Sequence, residues 1–151
     1  MCHGSVLDFV RTHVLPVDVA GKKVLEVGSL DVNGSARRII EPLGPASYVG
    51  VDIRPGRMVD RLCDASELVV AFGAESFDVV VSTEMLEHAK DWRGAVSNMK
   101  RVLATGGLLL ITTRSPGFPK HDHPGDYWRF TKQDALYIFS DMEETYVVED
   151  P

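Results

Sequence analysis

Short, unbroken apolar runs recur along this chain, and stretches with helical spacing separate them. Residues 23–28 (Lys-Val-Leu-Glu-Val-Gly) predict a buried strand stopped by a glycine. Residues 47–52 predict a second strand ending in an acid, and residues 58–64 a weaker third. Residues 77–82 predict a strong fourth, and residues 108–113 a fifth, opened by the turn pair Gly106-Gly107. Residues 144–149 predict a sixth. The runs are rich in β-branched residues and mostly lack polar alternation, as expected of strands covered on both faces.

Between them the spacing changes to three and four. Over residues 5–13, Val6, Phe9, Val10 and His13 or Val14 share one helical face. Over residues 92–103, Trp92, Val96, Met99 and Leu103 do the same, with Asp91 as N-cap and Gly106 beyond the end. Residues 35–41 form a short helix, and Thr131 opens another running to Ser140. Strands alternating with helices predict an α/β fold. The expected form is a Rossmann-like, doubly wound, mostly parallel sheet with helices on both faces and right-handed crossovers.

The 151 residues set the scale at one domain. We divide it into an N-terminal helical cap (1–20), a core (22–113), a loop over the strand ends (114–130) and a last helix and strand (131–151). Hydrophobic residues are 44% and charged residues 25%, which excludes a disordered chain or a bare disulfide scaffold. Sixteen basic against 22 acidic residues give a net charge of −6, without a basic stripe. A nucleic-acid partner is therefore not expected, because phosphate binding needs clustered cations. Cys2 and Cys63 read as free thiols, in keeping with a cytoplasmic setting. No apolar run approaches the ~18 residues of a membrane span, and residues 1–9 lack the basic-then-apolar pattern of a secretory signal.

In a sheet of this type a ligand binds at the carboxyl ends of the strands, near the switch in strand order. Those ends carry Glu26 and Gly28, then Asp52, then Asp64, then Ser82, Thr83 and Glu84. The loop from Gly28 to Gly34 does not match G-x-G-x-x-G, and Glu26 and Asp31 add negative charge to it. A nicotinamide oxidoreductase is thus the weakest reading, and a cationic ligand suits the loop better. A carboxylate at Asp52 can accept both hydroxyls of a ribose, or it can be a solvated strand-end acid. Asp64 can accept from an adenine amino group, or cap a helix whose capping box Glu67 completes. Together the acids describe a nucleoside carrying positive charge, which S-adenosylmethionine does.

The stretches VLEVGSLDVNGS, YVGVDIRPG, LCDASEL, FDVVVSTEMLEHAKDW and MKRVLATGGLLLITT, in this order over residues 22–113, resemble class I S-adenosylmethionine-dependent methyltransferases of the type-11 group. The resemblance implies that Glu26, Gly28, Ser29, Asn33 and Gly34 hold the methionine part of the cofactor. It implies that Asp52 binds the ribose, with Ile53 against the adenine and Asp64 and Ala65 at its edge. It implies that Ser82, Thr83, Glu84 and Met85 form the pocket floor near the sulfonium. Two departures stand out. Leu30 and Val32 occupy positions where the family often has glycine, and Asn33-Gly34 can do that work one turn later. The family's last, antiparallel strand has no counterpart in residues 1–151, which a truncated chain would explain; otherwise the sixth strand is expected to pair with the fifth, or another subunit to cover the edge in a homodimer.

His88, His121 and His123 are the candidate bases. His88 reads equally as a structural hydrogen-bonding residue. His121-Asp122-His123 lies in a Pro- and Gly-rich run better suited to a loop over the site than to a metal, for which no site is expected. Tyr127 to Phe130 read as anchors of that loop. The expected function is methyl transfer to a small-molecule or sugar-linked acceptor by in-line displacement, with no membrane partner. The alternative is a non-catalytic module of the same fold that binds the cofactor or a partner.

Overall fold

The computed structural model describes residues 4–120 and 125–149. Five strands form one sheet: β1 (Lys23–Val27), β2 (Ser47–Asp52), β3 (Arg61–Leu62), β4 (Phe77–Thr83) and β5 (Leu103–Thr112). Their order is β3-β2-β1-β4-β5, and every pairing is parallel. Strand order reverses between β1 and β4, which opens a crevice at their carboxyl ends. The helices are α1 (Gly4–His13), α2 (Pro16–Val19), α3 (Arg37–Ile40), α4 (Leu68–Phe72), α5 (Trp92–Val102) and α6 (Lys132–Ile138).

The buried runs supply two cores because successive strand residues face opposite ways. Leu25, Val51 and Val80 point to α4 and α5, where they meet Leu68, Val96, Met99 and Val102. Val24, Val79 and Val81 point to the other face and meet Val10, Ala36 and Ile40. The doubly wound, parallel architecture is as the sequence predicts. Helix α5 is capped by the predicted Asp91, whose Oδ1 accepts from the Gly94 amide at 3.0 Å. Helix α6 opens on Thr131, which exchanges hydrogen bonds with Asp134.

Three elements differ from expectation. β3 is two residues long rather than seven: Met58, at the start of the predicted run, takes a left-handed φ of 67°, and Asp64, at its end, caps a 3-10 turn. β5 starts at Leu103, not Leu108, because a register shift lets the chain pair with Phe77 before the glycines and with Val79 after them. Gly107 sits where a Cβ would meet the Asp78 carbonyl at 2.6 Å, so only glycine fits there. Residues 144–149 form no strand and do not pair with β5. Thr145 Oγ1 donates to the Phe139 carbonyl at 2.9 Å and the Tyr146 ring meets His13 at 6.0 Å, which hold this segment against α6 and α1. No helix among the described residues is long and apolar enough to cross a membrane.

Candidate functional site

Gly28 ends β1 with φ of 79°, and its amide and that of Ser29 both donate to the Val51 carbonyl, at 2.9 and 3.0 Å. The chain thereby folds across the top of β2. A Cβ on Gly28 would stand 2.5 Å from Met85 Cγ, so this turn and the end of β4 close together only around a glycine. Glu26 lies beneath the loop, fully buried, and accepts from the Tyr48 hydroxyl at 2.8 Å. Burial pushes its carboxyl up to about 7, against the lowering pull of that hydrogen bond. Glu26 also accepts from the Ala36 amide, just beyond the loop, while Asn33 is exposed and Gly34 half-buried.

Asp52 reaches the same loop from β2. Its Oδ2 accepts from the Leu30 amide at 3.3 Å and its Oδ1 from the Arg54 amide at 3.0 Å. Ile53 beside it is 61% exposed. Asp64 caps the 3-10 turn Ala65–Glu67, with Oδ1 accepting from the Ser66 amide and hydroxyl at 2.8 and 2.7 Å. Its capping partner is thus Ser66. Cys63, next to it, is a free thiol, while Cys2 lies outside the described residues. The hydroxyls of Ser29 and Ser82 are buried and have no hydrogen-bond partner among the described residues.

On the other side of the crevice, Glu84 and Glu87 are buried around Arg114, two residues beyond the end of β5. Arg114 Nε pairs with Glu84 Oε2 and lies 3.9 Å from Glu87 Oε1. Glu87 Oε2 also accepts from Thr113 Oγ1 at 2.9 Å. Burial, reinforced by mutual repulsion, raises the Glu84 carboxyl, and burial raises that of Glu87. Glu84 holds a φ of 50°, a strained setting for a side-chain-bearing residue, with its amide bonded to the Thr112 carbonyl at 3.0 Å.

The same network anchors the loop that follows β5. The Glu87 carbonyl accepts from the Tyr127 amide at 2.9 Å, and the Arg114 carbonyl from the Phe130 amide at 3.0 Å. Trp128 Nε1 donates to the Ala89 carbonyl at 3.0 Å, so the aromatic run anchors the loop as expected. His88 Nδ1 meets the Gly125 carbonyl, which ties its ring to this segment. His121 and His123 lie outside the described residues. Among the described residues no three His, Cys, Asp or Glu side chains are grouped to hold a metal ion.

Beside the ends of β4 and β5 lies a cavity of about 590 Å³, within the range of small-molecule sites. Phe9, Leu109, Ile111, Phe130 and Met142 give it an apolar wall, and Glu84 and Arg114 add charge from the strand ends. Sequence reasoning missed Arg114 and its tie to Glu87. The available signal was a lone charge placed directly after an apolar strand, the same signal that marks Asp52.

Comparison with known proteins agrees with this fold. The methyltransferase-domain family matches residues 5–141. The human mitochondrial ubiquinone biosynthesis O-methyltransferase is 32% identical over 127 residues, which cover 70% of this chain and 34% of that protein. Phthiotriol/phenolphthiotriol dimycocerosates methyltransferase 1 of Mycobacterium ulcerans is 35% identical over 128 residues, covering 76% of this chain and 44% of that one. The chain thus spans between a third and a half of these relatives. Phosphoethanolamine N-methyltransferase 2 of Haemonchus contortus, solved with S-adenosyl-L-methionine, shares the fold at a TM-score of 0.67 and 23% identity, over 92% of this chain and 36% of that one. With a Rossmann-like parallel sheet, acids at successive strand ends and a family match over most of its length, the chain belongs to the S-adenosylmethionine-dependent methyltransferases.

Proposed function

We propose that this chain binds S-adenosylmethionine across the carboxyl ends of β1 to β4 and passes its methyl group to a small-molecule acceptor held in the neighbouring apolar cavity. The observation that carries the donor half is the junction of Gly28 and Asp52. Asp52 is held to the glycine turn through the Leu30 amide, so a ribose acceptor and a side-chain-free turn meet at one point. The residues fit the donor in other ways. Ile53 offers exposed apolar surface beside Asp52 for an adenine, with Asp64 and Ala65 at its edge. Ser29 and Ser82 bring unpartnered buried hydroxyls to the ends of β1 and β4. Glu26 holds the loop, Asn33 and Gly34 flank its outer side, and Thr83 to Met85 close the floor.

S-adenosylmethionine supplies a methyl group already activated on a sulfonium. The chain's own residues therefore need only align the acceptor, exclude water and fix the loop above. Phe9 from α1 and Phe130 from the anchored loop do the excluding, and the Glu84–Arg114 pair marks the polar wall. His88 serves to hold residues 125–130 through the Gly125 carbonyl. The apolar lining supports an acceptor with an apolar body over a bare sugar. The name of one relative, a ubiquinone biosynthesis O-methyltransferase, supports an oxygen as the atom methylated.

Calorimetric titration with S-adenosylhomocysteine tests the donor half. Asp52→Ala should weaken binding by about 1.5–3 kcal/mol, through lost charge-assisted hydrogen bonds. Unchanged affinity removes Asp52 from the ribose site, and no binding by the wild type ends the enzymatic reading. Binding without transfer of a labelled methyl to any of a panel of apolar alcohols and phenols favours a non-catalytic module.

A further inference from the structure

A second cavity, of about 260 Å³, lies on the outer side of the glycine loop between α1 and α3. Three guanidiniums from three separate segments line it: Arg11 from α1, Arg38 from α3 and Arg57 from the loop after β2. This convergence occurs in a chain whose net charge is −6. Asp31 is the acid among them, with its side chain only 7% exposed. It accepts from the Gly34 amide and from Arg38 Nη2, both at 2.9 Å, and stands 3.8 Å from Arg57 Nη2. Arg11 pairs at 2.7 Å with Asp8, an exposed acid that does not line the cavity. Three cations against two acids leave one positive charge in excess, and Arg57 has no close hydrogen bond to Asp31 at its distance. The negative charge that Asp31 brings to the loop, which in sequence argues for a cationic ligand, is thus outweighed on this side by arginines distant in the chain.

We propose that this cavity is an oxyanion site, taking the phosphate or carboxylate of a ligand other than the methyl donor. Guanidinium forks match such groups in geometry as well as charge. Leu7 and Ile39 give the cavity apolar walls, and its volume suits one oxyanion with a few attached atoms. Of the residues given to the donor, only Gly34 lines it; Gly28, Asp52, Asp64 and Met85 do not, so the arginines face the outer side of the loop and not the strand ends. Helix α1 separates it from the apolar cavity, with Leu7 and Arg11 facing one and Val6 and Phe9 the other.

The test is titration of the full chain with inorganic phosphate and, in parallel, phenyl phosphate, followed by phosphorus NMR at low salt. Saturable binding is expected, weakening as salt rises. Arg57→Gln and Arg11→Gln should each weaken it roughly two- to fivefold, and the double variant by about the product. Both arginines are more than half exposed, and an unchanged thermal melt confirms that the variants fold. Tighter binding of the ester assigns the site to an anionic group on a larger ligand, and equal binding assigns it to the free ion. Absence of binding, equal binding by the double variant, or displacement of phosphate by S-adenosylhomocysteine overturns the proposal. None of these outcomes depends on methyl transfer, so failure here and failure of the enzymatic reading are separable.

Discussion

The two sides of the crevice use carboxylates in opposite ways. On the β1–β2 side, Asp52 and Asp64 accept mainly from backbone amides close at hand and stay at or near the surface. On the β4–β5 side, Glu84 and Glu87 are buried and share the single guanidinium of Arg114. The first arrangement keeps oxygens partly open to solvent, as the proposed nucleoside site requires. The second costs desolvation of three charges and returns rigidity, because the same residues hold residues 125–130 through their backbone carbonyls. One side thus matches the proposed donor site, and the other fixes a wall and a loop.

The contrast can be broken most forcefully at Arg114. Arg114→Met leaves two buried carboxylates without their cation and should lower stability by about 3–5 kcal/mol at pH 7, read by urea titration. Because the Glu84 and Glu87 carboxyls are raised, the loss should shrink as pH falls and they take up protons. A loss that does not vary with pH would mean that their ionisation does not govern this wall.

Next is Glu26, the buried carboxyl under the glycine loop. Its value of about 7 against the ordinary 4.5 means that the folded chain holds the proton more tightly than the unfolded chain. Stability from this group is therefore full below about pH 4.5, falls as pH rises to about 7, and is level above. Its size is on the order of 3 kcal/mol. Glu26→Gln should remove that slope and leave one of the same sign from Glu84 and Glu87. An unaltered pH profile would place the titration elsewhere.

A smaller effect is expected at Gly28. Gly28→Ala must hold a left-handed φ at a cost of roughly 1–2 kcal/mol and must push Met85 aside. Thermal melts should show the loss, and S-adenosylhomocysteine affinity should fall with it. Smallest is Asp64→Ala, which removes the cap on Ser66 and should cost about 0.5–1 kcal/mol. Loss of cofactor affinity beyond wild-type error would add a ligand role to the cap. Unchanged affinity would leave Asp64 a cap alone and narrow the receiving side to Asp52.

The receiving side was the more legible of the two in sequence. Asp52 and Gly28 announce themselves because each directly follows an apolar run, and strand ends are local features. The same holds for β1, β2 and β4, and for α5 with its Asp91 cap, all set by residues within one turn or one run. The anchoring side was legible only in fragments. Glu84, Glu87 and His88 stand in one short stretch, but their partners Arg114 and Gly125 lie far along the chain, and no spacing rule links them. The early start of β5 and the short β3 were hidden for the same reason. A register shift depends on the partner strand, and the left-handed Met58 is not announced by its residue type.

The amino-acid sequence by itself determined the alternation of strands and helices, the two-faced burial of the sheet and the acids at its carboxyl ends. These follow from side-chain hydrophobicity and period, which act over a few residues. Only the tertiary structure decided that residues 144–149 pack on α6 and α1 instead of extending the sheet. It alone decided that Arg114 joins two glutamates, and that Arg11, Arg38 and Arg57 meet around Asp31. The physical reason is that a charge's partner and an edge strand's partner are fixed by which surfaces the folded core brings together.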